Sequence, residues 1–181
     1  MSSALKILPH YTYEDFCQWE GRWELIEGIP YAMSPAPRPN HQRICANLLS
    51  ELRVEIKKSG CKKCKVYNFI DVKYSDDTIF EPDGLVVCAD IKKSFLDFPP
   101  KLVFEILSPS TALKDIHTKF SFYEKFGISY YLIVDADKEI VQIFQLINNQ
   151  YKEINFNAAM PINFNFDDDC SITLIIKNIW Q

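Results

Sequence analysis

The spacing of apolar residues changes period several times along the chain, and each change marks the edge of an element. Ile44, Leu48, Leu52 and Ile56 recur every fourth residue. That stripe predicts a helix from Asn40, acting as its cap, to about Ser59, with Gly60 suited to a left-handed stop. Upstream, Thr12 followed by Tyr13, Glu14 and Asp15 predicts a short helix to about Glu20, ended by Gly21. WELIEGIPYAM alternates as two short strands turning at Glu27 and Gly28, after which Pro35, Pro37 and Pro39 stiffen a loop. Beyond the long helix, KVYNFIDVKY reads as a strand and SDD as a turn. TIFEPDGLVVCA reads as a strand interrupted at Pro82, which has no N–H to give a central ladder.

Two later runs hardly alternate. KLVFEIL and SYYLIVD are almost continuously apolar, and between them, after the loop SPSTALK, Asp115 can cap a helix that turns Ile116, Phe120, Tyr123 and Phe126 inward before Gly127. A strand, a helix and a second strand of this kind form a βαβ crossover, with parallel strands buried on both faces. The tail segments IVQIFQLI, QYKEINF and SITLII, divided by polar turns, read as antiparallel strands. The expected fold is α/β, a mixed central sheet flanked by helices. Residues 1–181 form one expected domain, since about 100 to 200 residues commonly share one core.

Composition changes this picture little: 48% hydrophobic and 24% charged residues are ordinary for a globular chain. No apolar run reaches the roughly 18 to 20 residues that cross a bilayer, and the first residues lack the apolar stretch of a secretion signal, so a cytoplasmic protein with no membrane partner is expected. Cys17, Cys45, Cys61, Cys64, Cys88 and Cys170 are scattered over the chain, which reads as free thiols. Cys61-Lys62-Lys63-Cys64 has zinc or redox spacing, but zinc takes four ligands and no second such pair follows. The net charge of -4 gives no long-range attraction to polyphosphate. Nucleic-acid binding therefore needs a local patch: Arg53, Lys57, Lys58, Lys62, Lys63 and Lys65 are one candidate, a solvated helix end being the other reading.

Glu105 is the costly residue. It interrupts Leu102, Val103, Phe104, Ile106 and Leu107 in a strand covered on both sides, where an ionised carboxylate costs several kcal/mol unless a cation or hydrogen bonds compensate. A metal ion, an ion pair or a strand end facing water each resolve that cost. Asp83 lies in the turn tripeptide Pro82-Asp83-Gly84 and opens the apolar strand one element earlier, so adjacent pairing can join the two acids. Two carboxylates and water suit magnesium. Asp71 and Lys73, on one strand face, can border the same cleft, and His117 reads as a surface residue.

These pieces together resemble a known family. WELIEG and PYAMSPAP within residues 23–37, the helix start His41-Gln42-Arg43-Ile44, EPDGLVV at 81–87, VFEILSPST at 103–111, and the run from Asp115 through Lys119 and Tyr123 to GISYYLIVD are similar to restriction-endonuclease-like proteins of the PD-(D/E)xK superfamily, abundant in cyanobacteria. The resemblance implies an endonuclease that hydrolyses DNA with Mg²⁺ or Mn²⁺ held by Asp83, Glu105 and the backbone carbonyl of Ile106. The family lysine normally stands two residues after the glutamate, where this chain has Leu107. Similar members carry it on the following helix, here Lys119, whose other reading is an exposed partner of Asp115. Glu24 is implied as a water-mediated ligand or a partner for a cation, and His41 as a phosphate contact or proton shuttle. Each can equally be an exposed residue. A homodimer is a candidate assembly. Leu107 and the acidic charge also support a catalytically inactive nuclease fold kept for oligomerisation or nucleic-acid binding, and Cys61 with Cys64 supports a thiol redox function.

Overall fold

A computed structural model describes residues 9–33, 37–108, 114–167 and 170–181. Pro35 and most of the SPSTALK loop lie outside the described residues. The chain opens with α1 (Tyr13–Phe16), where the Asp15 carboxylate accepts the Thr12 N–H at 2.8 Å. This helix ends well before Glu20. Strands β1 (Trp23–Ile26) and β2 (Ile29–Ala32) form a hairpin. Glu27 and Gly28 both take positive φ, the turn geometry that matches strand twist. The long helix α2 runs Pro39–Ser59, with Arg38 at its cap position. Pro39 takes its first turn, where a missing N–H costs nothing. Asn40 thus falls inside the helix, donating instead to the Ala136 carbonyl at 2.9 Å, and Gly60 supplies the left-handed stop at φ 74°.

Two segments that read as single strands are each divided between sheets. KVYNFIDVKY becomes β3 (Lys65–Tyr67) and β4 (Val72–Ser75), and TIFEPDGLVVCA becomes β5 (Thr78–Phe80) and β6 (Gly84–Val87). The breaks fall where Phe69 adopts positive φ and where Pro82 interrupts the ladder. A four-stranded sheet has order β2-β1-β5-β4. The central six-stranded sheet adds β7 (Leu102–Ile106), β8 (Tyr130–Asp135), β9 (Ile140–Ile147) and β10 (Gln150–Glu153), in the order β10-β9-β8-β7-β6-β3. β7 and β8 are parallel, joined by a π-helical segment Lys114–Lys119 and α3 (Phe120–Phe126), while the other strand pairings of this sheet are antiparallel. A separate hairpin, β11 (Ile162–Asp167) with β12 (Cys170–Leu174), precedes a 3₁₀ turn at Ile176–Trp180. The fold is α/β, with a mixed central sheet flanked by helices.

The central sheet separates two apolar clusters, because successive strand side chains point to opposite faces. Leu102, Phe104 and Ile106 join Ile44, Leu48 and Leu52 of α2 and the β11–β12 hairpin. Val103 joins Tyr123 and Tyr131 on the α3 side. Glu105 shares the Val103 face by the same alternation and is turned toward α3. The cysteines depart from the free-thiol expectation: Cys61 is bonded to Cys170 and Cys64 to Cys88, leaving Cys17 exposed and Cys45 buried as free thiols.

Gly84 sets how closely β6 can lie on its neighbours. A Cβ there would stand 2.3 Å from the Phe104 ring and 3.0 Å from Leu49. Gly84→Ala is expected to lower stability by about 1–3 kcal/mol through this overlap, measured by urea unfolding. Adding Phe104→Leu should recover part of the loss.

Candidate functional site

Antiparallel pairing of Gly84 with Phe104 brings the next residues out, Asp83 and Glu105, opposite one another at the end of β6 and β7. The Asp83 carboxylate is fixed from two sides. Its Oδ2 accepts the Ile106 N–H at 2.8 Å and lies 3.2 Å from His41 Nε2, in the first turn of α2. Cys45, one helical turn further on, donates its thiol to the Asp83 carbonyl at 3.6 Å. Burial, then the charges of Asp83 and Glu105, push that thiol up to about 12. Cys45 therefore stays a protonated packing group, and its response to both acids reflects their shared neighbourhood.

Glu105 is 3% exposed and Glu24, on β1, is 0% exposed. One ammonium serves both. Lys119 Nζ lies 2.7 Å from Glu105 Oε1 and 2.8 Å from Glu24 Oε1, and it also stands 5.7 Å from the centre of the Phe80 ring. Lys119 closes the π-helical segment and is itself buried, so the reading that made it an exposed partner of Asp115 is set aside. Glu24 is likewise no exposed strand residue: besides Lys119 it accepts the Glu81 N–H at 3.3 Å.

Tyr123, one turn beyond Lys119, donates its hydroxyl to Glu105 Oε1 at 2.6 Å. Burial and then the Glu105 charge hold this phenol well above its ordinary value, keeping it a donor. The sequence placed Tyr123 in the core and in the run that resembles the family, with no role at the site. Its place four residues after Lys119, on the same helix face, was the available signal. Tyr74 on β4 packs against Phe80, Tyr123 and Phe126. Its buried hydroxyl has no hydrogen-bond partner among the described residues.

Acidic groups continue outward from Glu24. Glu81 pairs with Arg22. Asp71 is raised from 3.8 to about 6 by burial and by the charges of Glu81 and Glu24, with Arg22 opposing. Lys73 does not join this group. It turns to Asp76 at 2.5 Å and lies over the Tyr13 ring. The basic run also lies elsewhere, since Lys57 and Lys58 end α2 about 24 Å along the axis from His41. His117 is exposed.

The donor set fits a hard divalent cation. Asp83 and Glu105, at facing strand positions, and the Ile106 carbonyl at the same strand end are the oxygens that could hold it.

A mixed central sheet flanked by helices in this arrangement is a restriction-endonuclease-like fold. The crystal structure described as "a putative nuclease belonging to DUF820 from Anabaena variabilis" is similar in fold, with a TM-score of 0.74 at 18% identity, covering 93% of this chain and 97% of that one. Over residues 12–173 the sequence matches the Uma2 family, described as "Putative restriction endonuclease", and the chain belongs to that family. No curated protein matches the sequence. Among the described residues, no helix is long and apolar enough to cross a membrane.

Two outcomes test this electrostatic arrangement. Lys119→Met leaves two buried carboxylates without their cation and should cost about 3–5 kcal/mol at neutral pH, less in acid where they take up protons, as read from denaturant midpoints across pH. For Asp71 the folded value lies above the unfolded one, so its contribution to stability is lost as pH rises from 3.8 to about 6. Asp71→Asn should raise the melting temperature above that window and flatten the slope within it.

Proposed function

We propose that this chain is a divalent-metal-dependent endonuclease hydrolysing DNA phosphodiester bonds, working in the cytoplasm as a single domain over residues 1–181. The observation that carries the reading is the facing pair Asp83 and Glu105 beside an ammonium, Lys119, buried against Glu105. Asp83, Glu105 and the Ile106 carbonyl would hold Mg²⁺ or Mn²⁺, which when bound would make a water more acidic and grip the phosphodiester.

The chain's own groups prepare that centre. The Ile106 N–H and His41 hold Asp83 in place, while Tyr123 and Lys119 hold Glu105. Buried positive charge keeps Glu105 ionised without solvent and offsets negative charge that develops on the phosphate oxygens. Lys119 thereby does from the crossover helix what Leu107, in the usual motif place, cannot. Glu24 serves as the second anchor of Lys119, the cation-partner role rather than that of a ligand. His41, 3.2 Å from Asp83 at the start of α2, is positioned to meet a phosphate or pass a proton.

One observation favours the alternative of a silent nuclease fold kept for assembly or nucleic-acid binding. Leu107 continues the ladder to the Val134 carbonyl at 2.8 Å and packs with the α3-side apolar cluster, so the motif position offers no charge. Purified protein incubated with plasmid, linear and single-stranded DNA in Mg²⁺ or Mn²⁺ distinguishes the two. Cleavage should fall at least about a hundredfold in Asp83→Ala and in Glu105→Ala, with folding checked by circular dichroism. Cleavage that survives both substitutions sinks the assignment. No cleavage, together with no carboxylate-dependent Mn²⁺ binding by calorimetry, establishes the silent module.

A further inference from the structure

Cysteines from three separate stretches of sequence converge at the far end of α2 from His41: Cys61 with Cys64, Cys88, and Cys170. Cys61 follows the Gly60 stop of α2, and Cys64 directly precedes β3. Cys88 follows β6, at the next ladder position beyond the pair Lys65 and Val87, so it faces Cys64. Cys170 opens β12. Although each sulfur is bonded to another partner, Cys64 Sγ and Cys170 Sγ lie only 3.2 Å apart, and neither carries a hydrogen to donate in that state. The sulfurs of Cys61, Cys64 and Cys170 all lie within 4.8 Å of one another. Cys88, bonded to Cys64, adds the fourth. The two cross-links therefore lie side by side, three of their four sulfurs in mutual reach.

We propose that the reduced chain binds a structural zinc ion through the thiolates of Cys61, Cys64, Cys88 and Cys170. Sulfurs about 2.3 Å from a shared zinc stand about 3.8 Å from each other at tetrahedral angles; Cys61, Cys64 and Cys170 already lie within 4.8 Å of one another, and Cys88 reaches them from the ladder position facing Cys64. The Cys61-Lys62-Lys63-Cys64 turn supplies two ligands, while Cys88 and Cys170 arrive from a strand end and a hairpin. With a dithiol reductant the balance closes: two protein disulfides, two dithiols and Zn²⁺ give the tetrathiolate complex, two oxidised dithiols and four protons. The complex carries a net charge of -2, offset by the exposed Lys62, Lys63 and Lys65 around it. That is a physical use for the basic run, which lies too far along α2 to serve the carboxylates.

The ion would join α2, the edge strand β3, the end of β6 and the β11–β12 hairpin. β3 has three residues and sits at the sheet edge, and a two-stranded hairpin is marginal alone. Metal binding energy at such a closed site becomes folding energy. The site is separate from the proposed nuclease centre, since Asp83 and Cys88 lie about 16 Å apart along β6.

The test uses the untagged full chain, purified with a dithiol present, and reads metal content by elemental analysis and native mass spectrometry. One zinc per chain is expected, with four thiols that react with a disulfide reagent only after a chelator is added. Removing the zinc should lower the melting temperature, and added Zn²⁺ should restore it. Co²⁺ in its place should give the intense sulfur-to-metal absorption of a tetrahedral thiolate site. Cys88→Ser and Cys170→Ser should each lose the metal, while Cys17→Ser keeps it. Reduced wild-type protein that takes up no zinc from one equivalent, or that holds iron instead, overturns the proposal without reference to how any variant folds. So does a chain that keeps both disulfides when isolated from a reducing cytoplasm.

Discussion

The Lys119 ammonium, buried between Glu105 and Glu24, is the interaction on which the site depends. It joins three parts of the chain: β7, the crossover that follows it, and the first hairpin. Each acid would be expensive to bury alone, and so would the amine. Together they form a small ionic group to which Tyr123 and the Glu81 N–H add hydrogen bonds. Replacing such a group with apolar side chains is often neutral or favourable for stability. Its presence in the interior therefore speaks more for a chemical task than for folding.

Asp83 is held by a different logic. Its carboxylate is fixed by a backbone N–H from the neighbouring strand and by His41 from the helix start, and it is less deeply enclosed than Glu105. The two acids thus differ in environment while sharing one strand end. Gly84 keeps β6 close enough to Phe104 for this pairing, so a packing constraint and a chemical one meet at consecutive residues. Membership of the Uma2 family and the likeness to a solved nuclease agree with that reading of the fold.

Helix α2 spans two regions of different chemistry. Its first turn brings His41 to hard oxygen donors, and its last turn leads into a soft sulfur cluster surrounded by lysines. Oxygen donors select cations such as magnesium, and thiolates select zinc. The division explains why the basic residues and the candidate reacting centre do not coincide.

Local pattern was enough to define the first hairpin with its turn at Glu27 and Gly28, the long helix, the parallel crossover and the anomaly of Glu105, because apolar period and turn residues act within a few positions, but it did not mark the strand Ile162–Asp167. The family resemblance added Lys119, Glu24 and His41. Where strands end was less legible: the segment around Phe69 looks continuous, and the interruption at Pro82 reads as a break within one strand, until the two halves of each must serve two different sheets. Tyr123 looked like core because one aromatic residue can bury its ring and still direct its hydroxyl at an acid. The cysteines were the least legible of all. Cys61 and Cys64 announce half a cluster, but Cys88 and Cys170 complete it only because β6 lies beside β3 and a distant hairpin folds back over α2. Composition and period thus determined which residues had to be buried. Which charge or sulfur met which partner was decided by sheet order and long-range packing, which no stretch of sequence encodes locally.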